Sequence, residues 1–465
     1  MRPNRVTNSR HFFPPLCPSS LIPASSSSAR TAFVRASRDV TFSSKNNPSA
    51  VRGHHFKNKY WPLSANHGCI LTGRLSLFNT MSGRKEIFRP LNPPRVTLFT
   101  CGPTVQSRIH LGHARTYMFY DALSRYLAYL GYDIFFLMNI TDFDETITRA
   151  AGTAHAEPLE YSRTMSSVFL DDLKRLKVDR VSRFEPVSGH VDQMIDQIGA
   201  LLRKGFAYRA GGWVYFDTSK FPAWGKLSHQ SKRDLALRPL ELSPLKRNLT
   251  DFGLWRPEEL VEGRWASPWG LGSPGWHIQD TAVTLPILGP QYDIHGGAYE
   301  LIYPHHEAEI AQAEALTGVR PLVKYWVHTG LLNLKGRKMS KSLGNVVTVE
   351  EALERCTADE LRFYFLSTHY RKETDLSGFE VARRRLKEMR RIATRLARPG
   401  GRRGASLTRF ESSLNDDFDS PGALAWARSL LRTAAVESDG RKASQLAWAA
   451  IRGLSILGVD LLGEP

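Results

Sequence analysis

Cysteine is scarce in this chain: four residues in 465, at positions 17, 69, 101 and 356. Thiols so few and so scattered exclude a disulfide framework and point to a reducing compartment. No run of eighteen apolar residues occurs, which excludes a transmembrane helix. No internal repeat is present, which excludes a solenoid or a propeller. Acidic residues are almost missing from one end. Residues 1–70 hold ten lysines and arginines but only one acid, Asp39. The rest is ordinary for a folded protein: 42% hydrophobic, 10% aromatic and 23% charged residues. That supplies a sizeable core for roughly two to four domains.

The net charge is +18, and half of it sits in the first 70 residues. The remaining, moderately basic body suits a polyanionic partner such as RNA or a nucleotide, though many proteins of that charge bind neither. Residues 1–73 are rich in Ser, Pro, Arg and Asn, with Ser25 to Ser28 in a row. Three readings fit: an organelle transit peptide, sequence upstream of the true start, or a disordered basic tail. Each removes the segment from fold reasoning.

From Leu75 the texture changes. Arg95 to Cys101 is a β-branched and aromatic run that ends in Gly102-Pro103, as a buried strand does. A helix is expected from about Ala114 to Leu130, closed by Gly131. Asp133 to Thr141 is a second apolar strand. Strand, helix and strand in this order make a βαβ unit and a parallel sheet. Further helices are expected over 158–177 and 190–204, then a hairpin from Tyr208 to Phe216 around Gly211-Gly212. The stretch 220–275, rich in Pro, Trp and Gly, reads as irregular surface loops. Segments near Tyr292–His295 and Tyr325–Leu334 are candidates to rejoin the sheet. The expected organisation is an extension over 1–73, an α/β Rossmann-like domain over 74–347 with an insertion at about 150–275, and a helical bundle over 348–465. A linker is expected at Pro399–Gly404.

Two short segments carry chemistry. His110-Leu-Gly-His113 follows strand and loop and opens a helix. Ligands of open α/β sheets bind at the carboxyl ends of the strands, helix N-termini favour phosphate oxygens, and Gly112 permits close approach to the backbone. Lys338-Met-Ser-Lys-Ser342 lies between Gly336 and Gly344-Asn345, and suits a mobile clamp on a triphosphate. Nucleotidyl transfer depends mostly on positioning and on neutralising charge in the transition state. Either segment alone also fits a solvated surface. Together, across a βαβ frame, they do not.

The chain at this point resembles the class I aminoacyl-tRNA synthetases, and within them the cysteinyl-tRNA synthetase family. The resemblance is carried by Thr100-Cys-Gly-Pro-Thr-Val105, His110-Leu-Gly-His-Ala-Arg115, Asn139-Ile-Thr-Asp142 and Pro274-Gly-Trp-His-Ile278. Asp293-Ile-His-Gly-Gly297, Pro304-His-His-Glu-Ala-Glu309 and Lys338-Met-Ser-Lys-Ser-Leu-Gly-Asn345 complete it. It implies activation of L-cysteine by ATP with Mg2+, and transfer of the cysteine to tRNA(Cys). His110 and His113 would contact ATP and the α-phosphate. Lys338 and Lys341 would hold the leaving pyrophosphate. Gly112, Gly296 and Gly297 would let ATP lie against the backbone, and Thr141 and Trp276 would pack the cysteine side chain. The family also binds zinc, which takes the substrate thiolate as a ligand, a contact that serine cannot copy. Cys101, His305 and Glu309 stand at three of its ligand positions.

At the fourth, the family has cysteine and this chain has Asp280. An oxygen donor makes the site harder and less thiophilic. Gln106-Ser107 and Tyr299-Glu300 also replace the family's usual Tyr-Asp and Ser-Asp. Asp375 to Leu462 matches the family's helical bundle, and the small anticodon-reading domain is expected to be missing. Arg383, Arg384, Arg385, Lys387, Arg390, Arg391, Arg395 and Arg398 make one stretch strongly basic, either a tRNA contact or a solvated face. The alternatives to tRNA charging are a ligase that passes cysteine or another amino acid to a small amine, and a non-catalytic paralogue. A monomer with no membrane association is expected, cytoplasmic, or in a mitochondrion or plastid if residues 1–73 are a transit peptide.

Overall fold

The computed structural model describes residues 75–237, 242–257, 265–334, 336–339, 344–397 and 406–463. The expected extension over 1–73, Lys341 and the expected linker at Pro399–Gly404 lie outside them. No helix among the described residues is long and apolar enough to cross a membrane.

Five strands make one parallel sheet: β1 (Arg95–Thr100), β2 (Asp133–Ile140), β3 (Arg183–Pro186), β4 (Tyr292–Ala298) and β5 (Val323–Thr329). Their spatial order is β5-β4-β1-β2-β3, and every neighbouring pair is parallel. Successive side chains of a strand point to opposite faces, and both faces here are covered. Val96 and Leu98 join one core with helix α1 (Leu111–Tyr129). Phe99 and Cys101 join a second core with helices α2 (Trp276–Leu288) and α3 (Glu307–Thr317). Two-sided burial is why these strands read as continuous apolar runs. The chain runs from β1 outward to β2 and β3, then returns to place β4 and β5 on the other side. The order therefore reverses between β1 and β4, where a doubly wound sheet opens a crevice.

The expected strands, the helix closed by Gly131, and the hairpin at Gly211-Gly212 form. Of the segment Tyr325–Leu334, however, only the part to Thr329 joins the parallel sheet, and Leu332–Leu334 pairs instead with Arg337–Lys338 and Thr374–Asp375. One expectation fails altogether. Instead of irregular loops, the chain from 207 to 274 builds a five-stranded antiparallel sheet. Its strands are Ala207–Ala210, Trp213–Phe216, Phe252–Pro257, Trp265–Ser267 and Gly270–Pro274. Glycine is required inside it: a Cβ on Gly272 would lie 2.2 Å from the Arg256 carbonyl oxygen. Packing of the buried Trp224, Phe252 and Trp255 compensates for the poor strand propensity. Edge strand β3 also falls within the expected 150–275 insertion.

The bundle comprises helices Ala358–Leu366, Phe379–Leu396, Thr408–Asn415, Ser420–Val436 and Gly440–Ile456. On the basic helix, Arg383 pairs with Glu360 at 2.9 Å and the buried Arg390 with Asp359 at 2.7 Å. Arg384, Arg385, Lys387, Arg391 and Arg395 are exposed. A buried ion pair joins bundle to sheet domain. Arg362 Nη1 donates to Asp121 Oδ2 of α1 at 2.6 Å, and both side chains are fully buried. Arg125 and the backbone N–H groups of Asp179 and Arg180 donate to the same carboxylate.

Burial pushes the Asp121 carboxyl up, but Arg362 and Arg125 outweigh it and hold it below the ordinary value. Its stabilisation is therefore present above the unfolded carboxylate value of about 3.9 and is lost as pH falls through the lower folded value. Asp121→Asn leaves Arg362 as an uncompensated buried charge and should cost about 3–5 kcal/mol in urea unfolding at pH 7. The difference from wild type should shrink below pH 4. An unchanged midpoint at pH 7 would contradict this account of the joint.

Candidate active site

A cavity of about 300 Å3 opens at the reversal point. One wall is the start of α1. His110 caps the helix, its Nδ1 accepting from Gly112 N at 3.1 Å, while His113 Nδ1 accepts from His110 N at 3.3 Å. The two rings lie 4.0 Å apart. The first N–H groups of the helix already have acceptors, Gly112 N in His110 and Leu111 N in Val347 O, so the groups at this end that can donate to an anionic oxygen are the two imidazoles.

The other far segment is brought here by its flanks. Leu111 N donates to Val347 O at 2.9 Å, and Val349 N donates to Ile109 O at 3.0 Å. On the near side, Arg337–Lys338 pairs with the strand Leu332–Leu334, and Met339 lines the cavity. Arg115 of α1 holds that strand's entry. Its buried guanidinium donates to the carbonyls of Gly330 (2.5 Å), Leu331 (2.6 Å) and Lys372. Burial lowers its pKa to about 10.

The floor holds a cluster of donors. Cys101 follows β1, Asp280 is in α2, His305 lies in the turn before α3, and Glu309 is in its first turn. The ligating atoms of these four all lie within 4.8 Å of one another. His305 Nε2 is 2.9 Å from Asp280 Oδ2 and 3.4 Å from Glu309 Oε1. Asn139 Nδ2 donates to Asp280 Oδ1 at 2.6 Å. The ring of Trp276 stacks on His305 with centroids 4.0 Å apart. Neither oxygen of the fully buried Glu309 accepts a hydrogen bond. An orphaned carboxylate beside a thiol and imidazoles is the donor chemistry of a divalent metal site, so these residues fit such an ion.

Burial, then the nearby Asp280, pushes the Glu309 carboxyl well above its ordinary value. The Cys101 thiol is raised by burial and by Asp280 and Glu309. Burial holds His277, His295 and His306 neutral, and takes His328 down to about 3.

Of the residues expected from sequence, Cys101, His110, Gly112, His113, Thr141, Trp276, Asp280, Gly297 and His305 line the cavity. Glu309 lies behind them. Gly296 does not line it; a Cβ there would fall 1.9 Å from Tyr120 Oη and 2.0 Å from Val327 O, so helix packing requires this glycine. Lys338 is described in its backbone only. Sequence reasoning missed Asn139 and Arg115 as site-building groups, and the histidines 277, 295, 306 and 328. The signal was the repeated histidine in Asp293-Ile-His295 and His305-His306, which spacing alone does not connect.

A family model for the tRNA synthetases class I (C) catalytic domain matches residues 87–385. The cysteine–tRNA ligase of Thermoplasma acidophilum is 40% identical over 354 residues, covering 74% of this chain and 78% of that protein. That of Dehalococcoides mccartyi is 40% identical over 401 residues, covering 84% and 88%. That of Thermoplasma volcanium is 44% identical over 302 residues, covering 65% and 66%. Among solved structures, Mycobacterium tuberculosis methionyl-tRNA synthetase in complex with methionyl-adenylate superposes with a TM-score of 0.54 at 16% identity, over 78% of this chain and 90% of that one. At that identity the likeness concerns the fold.

Asn139 also accepts, through Oδ1, from Gly102 N at 2.7 Å, so the ends of β1 and β2 set where Asp280 is held. A Cβ on Gly102 would lie 1.7 Å from the Asn139 carbonyl oxygen. Gly102→Ala should therefore force the strand ends apart and cost about 2 kcal/mol or more in urea unfolding. Gly152→Ala, in a helix with nothing within 4 Å of the added carbon, should stabilise by about 0.5–1 kcal/mol. Equal effects of the two would contradict the close approach at Gly102.

Proposed function

The chain belongs to the class I (C) tRNA synthetases, and from that premise we propose that it joins L-cysteine to tRNA(Cys) at the expense of ATP. The observation that carries this reading is the cavity itself. A thiol, carboxylate and imidazole floor stands opposite a histidine-flanked helix N-terminus, at the carboxyl ends of β1 and β4.

In the first half-reaction a carboxylate oxygen of cysteine attacks the α-phosphorus of ATP, forming cysteinyl-adenylate and releasing pyrophosphate. His110 and His113 meet the charge that develops on the α-phosphate. Lys338 and Lys341 neutralise the departing pyrophosphate, and Mg2+ enters as the counter-ion of ATP. What supports this role for the lysines is the anchoring of their loop at both ends, by Arg115 and by the pairing of Val347 and Val349 with Leu111 and Ile109. Gly297 leaves room beside the adenosine. In the second half-reaction a hydroxyl of the tRNA 3′ end attacks the activated carbonyl and AMP leaves.

Trp276 and Thr141 bound the side-chain end of the cavity. Cys101, Asp280, His305 and Glu309 would hold a zinc ion, which when bound supplies a thiophilic contact for the substrate sulfur. Trp276 fixes the plane of His305 by stacking, and Asn139 fixes Asp280. The five exposed cations of helix Phe379–Leu396 offer phosphate contacts to the tRNA.

The test is transfer of labelled cysteine to homologous total tRNA by a protein starting near Leu75, with serine alongside. Charging with cysteine alone, falling steeply between 50 and 200 mM salt, is expected. In the same assay Lys341→Ala should lower turnover by about a hundredfold while leaving the unfolding midpoint unchanged. Cysteine activation without charging would instead favour a small amine as acceptor.

A further inference from the structure

The donor cluster offers two sets of four ligands. Both use Cys101 and Glu309. One adds Asp280 and His305, which line the cavity; the other adds His295 and His306, which lie a layer deeper. In each set all ligating atoms fall within 4.8 Å of one another, and all six side chains are buried. We propose that, without cysteine bound, zinc rests in the deeper set of Cys101, His295, His306 and Glu309. The inference rests on the reading above, that this site takes zinc.

The outer set is closed by its own hydrogen bonds. Asp280 Oδ2 and His305 Nε2 are 2.9 Å apart. Two ligands of one tetrahedral zinc, at bond lengths of about 2.0–2.3 Å, keep roughly 3.3–3.7 Å between them. Asn139 holds the other Asp280 oxygen at 2.6 Å and His277 Nδ1 holds His305 Nδ1 at 2.9 Å, outer contacts that orient both side chains without blocking a ligand atom. An ion entering there must break the contact between Asp280 and His305.

The deeper set is already spaced, with the Cys101 thiol in hydrogen-bond contact with both rings. His295 Nε2 lies 3.6 Å and His306 Nε2 3.3 Å from Cys101 Sγ. Glu309 Oε1 is 4.0 Å from His306 Nε2, and its Oε2 is 3.6 Å from His295 Nδ1, the nitrogen that also meets Tyr292. Each ring is also held from behind. Tyr292 Oη bonds His295 Nδ1 at 2.6 Å. His328 Nε2 bonds His306 Nδ1 at 2.8 Å, and Thr80 Oγ1 bonds His328 Nδ1 at 2.7 Å. If each Nδ1 carries the proton of these bonds, both Nε2 lone pairs point at the thiol. Metal-ligating histidines are oriented in this way by an outer partner.

Donor chemistry points the same way. Thiolate, two imidazoles and a carboxylate make a softer set than thiolate, one imidazole and two carboxylates, and zinc favours sulfur and nitrogen.

X-ray absorption at the zinc edge of the zinc-loaded full chain, free of cysteine, tests this directly. One sulfur and two imidazoles per zinc are expected. One sulfur with a single imidazole would overturn the proposal, as would a chain that takes up no zinc. Chelator competition gives a second reading. His306→Gln should weaken zinc binding about tenfold or more, and Asp280→Asn by no more than about threefold; the reverse order would overturn it. Neither measurement depends on charging, so a failure of the tRNA reaction would be seen separately.

Discussion

Three groups that ionise by losing a proton, Cys101, Asp280 and Glu309, are buried together at the ends of one sheet. Among the described residues, no lysine or arginine is paired with any of them. Burying such groups without compensation is costly. Here compensation comes from a layer of neutral imidazoles and from room for one divalent cation. That constraint organises its surroundings. Asn139 is turned to hold Asp280, Trp276 covers His305, and the side chains of His295, His306 and His328 are stacked behind with Trp326.

The fold delivers these groups through its topology. Cys101 leaves β1 and His295 lies on β4, the two strands between which the order reverses. Gly102 brings the end of β1 against Asn139 of β2, and Gly296 lets Tyr120 of α1 press onto β4. The helix that carries His110 and His113 is the same helix that anchors Arg115 to the loop stem and Asp121 to the bundle. The His110 end of the cavity, the strand Leu332–Leu334 and the helical bundle thus share one element. A shift in α1 would reach all three.

The parallel sheet was legible in the sequence because two-sided burial leaves long apolar runs such as Asp133–Thr141, and because Gly131 closes the helix with φ +95. Strand Arg183–Pro186 was not, being four residues at an edge with two charges. The antiparallel sheet was hidden by its glycines and prolines, whose packing role is tertiary. Nine of the cavity residues could be named from motif and resemblance. The deeper histidine layer could not, since Thr80, His306 and His328 come from three separated segments and only the folded chain connects them. Asp280 was visible as a departure, but its engagement by both Asn139 and His305 was not.

The central claim is that this cavity activates cysteine. It is tested most directly by amino-acid-dependent exchange of labelled pyrophosphate into ATP, which needs no tRNA. The account predicts exchange that requires cysteine and is at least about a hundredfold weaker with serine. No exchange with cysteine, or equal exchange with both, would contradict it.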